Sequence, residues 1–128
     1  VENVSRCKSG SSAFIKEIKN MLGDEFAFVL DTKQAIRSNE NPMRFLDIVG
    51  SKIAHVHISD SGEMGDCLLI GKGRFDFRKF FDKLAGYNPD CSVILELYRS
   101  GWSGISDIVS SYNILTRMTE SYCGEQKL

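Results

Sequence analysis

The sequence predicts an α/β fold of parallel strands with an outer layer of helices. Short apolar runs alternate with amphipathic helical stretches along the chain, the pattern of repeated βα units. The runs at 26–31, 53–59 and 92–97 are near-continuously apolar, as suits strands covered on both faces. A helical stretch separates each pair of strands, and a right-handed parallel crossover needs such a connection.

The elements follow in order. Residues 11–22 carry Phe14, Ile15, Ile18, Met21 and Leu22 at helical spacing, with Ser11 or Ser12 to cap the start and Gly23 to stop it. Phe26-Ala27-Phe28-Val29-Leu30-Asp31 reads as a strand ending in an acid. Asn41-Pro42 starts the next helix, an N-cap followed by proline at the first helical position. Met43, Leu46 and Val49 line one face of it, and Gly50 ends it. Residues 53–59 form the next strand, followed by a Gly- and Asp-rich loop from Asp60 to Arg74. Asp76 caps a third helix with Phe77, Phe80, Phe81 and Leu84 on one face and Arg78, Lys79, Asp82 and Lys83 on the other. The Asn88-Pro89-Asp90 turn leads to strand 92–97. A loop with Trp102 and Gly104 precedes a last helix, about 105–122. Its apolar face is Ile105, Ile108, Val109, Tyr112, Leu115, Met118 and Tyr122. One domain is expected over residues 1–123, with a frayed tail at 124–128.

Composition narrows the function classes. The 128 residues are 42% hydrophobic and 26% charged, which excludes a disordered or fibrous chain. A formal net charge of −1 disfavours a nucleic-acid binder. No apolar run approaches the roughly 18 residues that span a bilayer, so no membrane role is expected. Cys7, Cys67, Cys91 and Cys123 form no Cys-x-x-Cys pair and no Cys/His cluster. They read as reduced thiols, and with no signal-peptide pattern at the N-terminus the expected compartment is the cytoplasm.

Glu2, Asp31, His57 and Glu96 fall at or beside the C-terminal ends of successive strands, where parallel α/β proteins carry their sites. Parity places Ala27, Val29 and Asp31 on one face, with Ile53, His55 and His57 and with Ser92, Ile94 and Glu96 on the equivalent faces. A strand-end acid taken alone is more often a cap or a salt-bridge partner. Four ionisable groups at equivalent ends point instead to a shared site. Three carboxylates and an imidazole converging on one spot call for a cation. Oxygen-rich ligands plus one His suit one divalent ion, Mn²⁺ or Mg²⁺, with Co²⁺ or Zn²⁺ as alternatives. Such an ion could hold two oxygens of a polyol and stabilise the ene-diolate left when a C–H proton departs, with one carboxylate removing the proton and a second returning it.

Several stretches resemble one superfamily in order and spacing. They are Glu2-Asn3 after an apolar residue, Leu30-Asp31-Thr32, Ile53-Ala54-His55-Val56-His57-Ile58-Ser59-Asp60, Gly71-Lys72-Gly73-Arg74-Phe75-Asp76 and Ile94-Leu95-Glu96-Leu97-Tyr98. They resemble the xylose-isomerase-like TIM barrels, which include sugar phosphate isomerases and epimerases and the metal-dependent apurinic endonucleases. The resemblance spans residues 1 to about 123. It implies a divalent metal on Glu2, Asp31, His57 and Glu96, with Glu2 and Glu96 as the acid/base pair. It also implies strands five to eight of an eight-stranded barrel of about 250 residues, the C-terminal half, expected to associate with an N-terminal half or with itself.

Two departures steer the reading. Gln34 stands where many members have a substrate-contacting His, and the loop from Asp60 to Gly73 has Asp66 but no His. Both argue against a multi-zinc phosphodiesterase acting on abasic DNA. The expected activity is a sugar or sugar phosphate isomerase or epimerase; the alternatives are that phosphodiester hydrolase and a non-catalytic half barrel. Asn3, Gln34, His55, Arg99 and Trp102 are the candidate substrate contacts. Trp102 offers an aromatic wall for a sugar. Lys33, Lys72 and Arg74, with Arg99, lie in loops on the expected active-site side, where one or two could bind a phosphate or polyol; each defaults to solvated surface charge. Met64, Cys67, Leu68 and Leu69 make the third-strand loop a candidate lid.

Overall fold

The computed structural model describes residues 1–123, so the tail expected to fray at 124–128 lies outside the described residues. Five helices and five strands occur in the order α1 (Ser12–Leu22), β1 (Phe28–Asp31), α2 (Thr32–Arg37), α3 (Pro42–Val49), β2 (Ile53–Ile58), β3 (Asp60–Gly62), β4 (Gly65–Leu68), α4 (Phe77–Tyr87), β5 (Ser92–Leu95) and α5 (Ile105–Cys123). β1, β2 and β5 form a parallel sheet in that order. A parallel bridge from Glu2 to Val29 adds the first residues beside β1. The main predicted elements are therefore present, with parallel pairing throughout the main sheet.

Sequence chemistry sets the helix ends. Asn41 accepts a hydrogen bond from the Met43 amide at 3.0 Å with Pro42 behind it, and Asp76 accepts one from the Lys79 amide at 3.0 Å. Gly23 and Gly50 end α1 and α3 at φ 53° and 57°, in the left-handed region that favours glycine. Ser11 holds the N-cap position of α1 but makes no side-chain cap bond. Ser12 instead donates its amide and hydroxyl to Glu40.

The core lies between the sheet and the helices. Leu30, Val56 and Ile58 point outward from the strands and are fully buried beside Phe28, Phe45, Leu46, Phe80 and Leu84. Phe28 stacks between Phe26 and Phe45 at centroid distances of 6.0 and 5.9 Å. The opposite face carries Val29, His55 and Ser92 in one row and Asp31, His57 and Ile94 in the next.

Four expectations change. Ile53 belongs to the outer core, not to the face of His55 and His57, because the register shifts between Phe28 and Val29 and skips Ala54. The apolar face expected of the last helix is largely solvent-facing: Leu115 is buried, while Ile105, Val109, Tyr112 and Met118 are exposed. β5 is the sheet edge among the described residues, so α5 has little strand surface to cover. Met21 and Leu22 are likewise exposed at the end of α1. Finally, the expected loop after β2 contains an antiparallel hairpin, β3–β4, with Glu63-Met64 at its turn.

Asp60 holds that hairpin to the loop that follows. Its carboxylate is 1% exposed and accepts four backbone N–H groups: Ser61 at 2.7 Å, Gly71 and Gly73 at 2.9 Å and Phe75 at 3.1 Å. A Cβ on Gly73 would come within 2.4 Å of both Asp60 Oδ1 and the Ser61 carbonyl, so only glycine fits there. On its other side the hairpin is tied to α2. Arg37 donates to both oxygens of Asp66, and to the Tyr98 hydroxyl at 2.7 Å. The Arg37 hydrogen bonds hold the Asp66 carboxyl below its ordinary range, against the opposing effect of burial.

Asp60→Ala leaves four amides without their acceptor and should cost about 3 kcal/mol, read as a fall in the denaturation midpoint. An unchanged midpoint would contradict the role given to Asp60. The Arg37–Asp66 tie should persist through the ordinary carboxylate range and be lost only at lower pH, as Asp66 protonates at its depressed folded pKa. Amide exchange in β3–β4 as pH is lowered, compared with Asp66→Asn, checks this: the wild-type hairpin should open only at acid pH and the variant throughout.

Candidate metal centre at the strand ends

Asp31 ends β1 and starts α2. Its Oδ1 accepts the Gln34 amide at 3.0 Å, so the strand-end acid is also a helix N-cap. The backbone on either side is fixed by Asn3. The Asn3 Nδ2 donates to the Asp31 carbonyl at 2.8 Å, and its Oδ1 accepts the Asp31 amide at 2.7 Å, with Asn3 fully buried. That clamp seats Glu2, one residue earlier, beside the end of β1. His57 is the register partner of Asp31 on β2. Thr32, also fully buried, links the two strand ends: its hydroxyl donates to the His57 carbonyl and accepts the Ser59 amide, both at 3.4 Å. Glu96 follows β5, and its amide donates to the Ile58 carbonyl at 2.9 Å, which carries the ladder one residue beyond the strand.

Glu2, Asp31 and His57 each offer a ligand atom, all within 4.8 Å of one another. Glu96 lies outside that cluster. Its Oε1 accepts from the Lys33 ammonium at 2.8 Å, and the same ammonium lies 3.2 Å from Asp31 Oδ2. The Glu96 Oε2 is 3.0 Å from His57 Nδ1 but makes no hydrogen bond, and it is a buried oxygen without a partner. Glu2 Oε1 is 3.4 Å from the same nitrogen. The centre thus holds three carboxylates around one imidazole, with one oxygen unsatisfied. A divalent cation fits this donor set: it would offset like charges that face one another at short range.

Sequence reasoning placed Lys33 on the active-site side but missed its burial and its pairing with the strand-end acids. The default of solvated surface charge is corrected here, because Lys33 is 2% exposed. Its side chain runs from the first turn of α2 into the site, with Nζ 4.7 Å from the centroid of the Tyr98 ring, and Arg37 lies over that ring at 5.0 Å. Burial would lower the pKa of this ammonium, but the Glu96 hydrogen bond and the fields of Asp31 and Glu96 outweigh it and hold Lys33 above the ordinary lysine value. The available signal was its position, two residues after a strand-end acid. Lys72 is exposed, and Arg74 is exposed and paired with Glu63, as expected of surface charge.

The candidate substrate contacts divide. His55 is half-buried one row below His57, its Nδ1 2.6 Å from Ser92 Oγ and its ring 5.1 Å from that of His57. The amide group of Asn3 is fully engaged with the Asp31 backbone. Gln34 Oε1 accepts the Ser5 amide at 3.0 Å. Arg99 and Trp102 pair with each other: the guanidinium stacks 4.2 Å from the indole and donates to the Trp102 carbonyl at 2.9 Å. Cys67 lies beside the site with its Sγ 3.6 Å from the Glu96 carbonyl, while Met64 sits exposed at the hairpin tip. A cavity of about 720 Å³ between α4 and α5, lined by Phe75, Phe77, Arg117, Met118 and Tyr122, is separate from these residues.

The family described as xylose isomerase-like TIM barrel matches residues 1–117. The uncharacterized protein MJ1614 of Methanocaldococcus jannaschii is 42% identical over 74 residues, which are 57% of this chain and 28% of that protein. Among solved structures, a D-tagatose 3-epimerase-like protein superposes with a TM-score of 0.67 at 22% identity, covering 98% of this chain and 48% of that one. The chain spans less than half the length of each of these proteins. Its three parallel strands with outer helices correspond to part of one barrel, and the chain belongs to the xylose isomerase-like TIM barrel family.

Proposed function

We propose that the chain carries the strand-end site of a divalent-metal-dependent sugar isomerase or epimerase, acting on a small sugar or sugar phosphate. The observation that supports this most is the cluster of Glu2, Asp31 and His57 within 4.8 Å, with Glu96 beside it. In this reading Glu2, Asp31, His57 and Glu96 hold the ion, Glu96 through the unpartnered Oε2 that lies 3.0 Å from His57 Nδ1. The bound ion, Mn²⁺ or Mg²⁺ by its ligands, supplies positive charge where a substrate oxygen becomes anionic. Glu96 removes the proton on the carbon next to the carbonyl, leaving an ene-diolate. Glu2, which enters the step carrying a proton, gives it to the opposite face for an epimerase; for an isomerase Glu96 returns the proton it holds to the neighbouring carbon. Asn3 and Thr32 hold the strand ends in place rather than touching substrate. The exposed Ile94 on the sheet's inner face, and the open edge of β5, support completion of the site by an N-terminal half barrel or a second copy. No helix among the described residues is long and apolar enough to cross a membrane.

The test is solvent deuterium. Turnover of a ketose or aldose in D₂O with Mn²⁺ should place deuterium on the reacting carbon, and Glu96→Gln should lower both turnover and exchange by roughly 100-fold or more, the scale of a lost acid–base group. Turnover without exchange at any carbon would contradict proton transfer, and a fully active Glu96→Gln variant would contradict the assignment of the base.

A further inference from the structure

We infer that Lys33 is the second cation of this centre, fixed to the chain: the Glu96 carboxylate bridges its ammonium and the divalent ion, so the site takes one ion and not a pair. The inference rests on the metal reading above and deepens it, because the number of ions decides which reaction the strand ends can support.

The two oxygens of Glu96 are in different states. Oε1 accepts from the Lys33 ammonium at 2.8 Å, while Oε2 is buried, has no hydrogen-bond partner and lies 3.0 Å from His57 Nδ1. One oxygen is thus held by a cation that the chain itself supplies, and the other is open beside His57, a member of the ligand cluster. Asp31 is drawn in as well, with Oδ2 3.2 Å from the same ammonium. Lys33 therefore stands between two carboxylates of the ligand set, the place a second ion would need. Its side chain is 3% exposed, the Tyr98 ring lies over the ammonium at 4.7 Å, and Arg37 holds the Tyr98 hydroxyl. An incoming ion meets a buried pair, and separating such a pair is costly.

Charge and donors give the same count. Glu2, Asp31 and Glu96 are three carboxylates, which one divalent ion and Lys33 together neutralise. A second divalent ion would leave surplus positive charge out of water. Donors for it are also lacking in the hairpin after β2: Asp66 is held by Arg37, and Asp60 accepts four backbone N–H groups. Two-metal phosphodiester hydrolysis needs both ions, to stabilise the attacking and the leaving oxygen. Lys33 closes that route and leaves proton transfer beside a single ion. It is a positioning residue, acting through Glu96 and Asp31.

The experiment counts bound Mn²⁺ by equilibrium dialysis and records its low-temperature electron paramagnetic resonance, on the wild-type chain, Lys33→Ser and Lys33→Arg. Serine leaves room for an ion and its waters, and arginine keeps the charge. Lys33→Gln is measured in place of the serine variant if that variant does not fold. Wild type and Lys33→Arg should bind about one Mn²⁺ per chain, with the signal of an isolated ion. Lys33→Ser should double that count and give the exchange-coupled signal of two ions about 3.5–4 Å apart. One ion in the serine variant, a second ion without coupling, or two ions in wild type or the arginine variant overturns the inference and leaves the metal reading standing. An ion bound by the serine variant alone overturns both, since Lys33 would then replace the sole cation. No ion in any of the proteins likewise overturns both.

Discussion

A buried carboxylate has to be satisfied on every side, and Asp31, a residue 3% exposed, is such a group at the end of the first apolar run. Each of its partners sets another part of the structure. The Gln34 amide on Oδ1 begins α2 directly at the strand end. The Lys33 ammonium near Oδ2 carries α2's first turn into the site and reaches Glu96 on the far strand. The Asn3 amide on the Asp31 backbone fastens the first residues to the sheet and brings Glu2 within reach. Three segments distant in sequence thus meet at one acid. The hydrophobic layer behind it, built on Phe28, Leu30, Val56 and Ile58, supplies the stability that holds these charges together.

The framework was largely legible because its signals are local. Asn41-Pro42, Asp76 and the glycines at 23 and 50 state where helices begin and end, and three apolar runs state where strands lie. What the sequence hid depends on long-range pairing. The helix α2 follows its strand without a turn signal, because Asp31 ends one element and caps the next. The β3–β4 hairpin contains no apolar alternation; a buried Asp60 and glycines that admit close backbone approach define it instead. The solvent-facing side of α5 reads as apolar periodicity, but burial depends on what lies across from a helix, not on its pattern.

The site was legible in its members and not in its wiring. Strand parity assembled Asp31, His57 and Glu96 on one rim, and chain position added Glu2. Parity cannot register a lysine that reaches the rim from a helix, so Lys33 looked like surface charge. Nor can it distinguish a side chain that contacts substrate from one that holds the backbone, which is where Asn3 stands. The general expectation for a lone strand-end acid, a cap or a salt-bridge partner, describes Asp31 in both respects. That does not compete with ligation. A group fixed on two sides is a pre-oriented ligand on its remaining lone pairs.

The central claim is that a divalent ion sits at the strand ends among Glu2, Asp31, His57 and Glu96. Crystals of the chain grown with Mn²⁺, and anomalous difference maps recorded at the manganese edge, test it most directly. The account predicts one peak at coordination distance, about 2.0–2.3 Å, from oxygen and nitrogen atoms of those four residues. A peak elsewhere on the chain, or no peak at the strand ends, would contradict it.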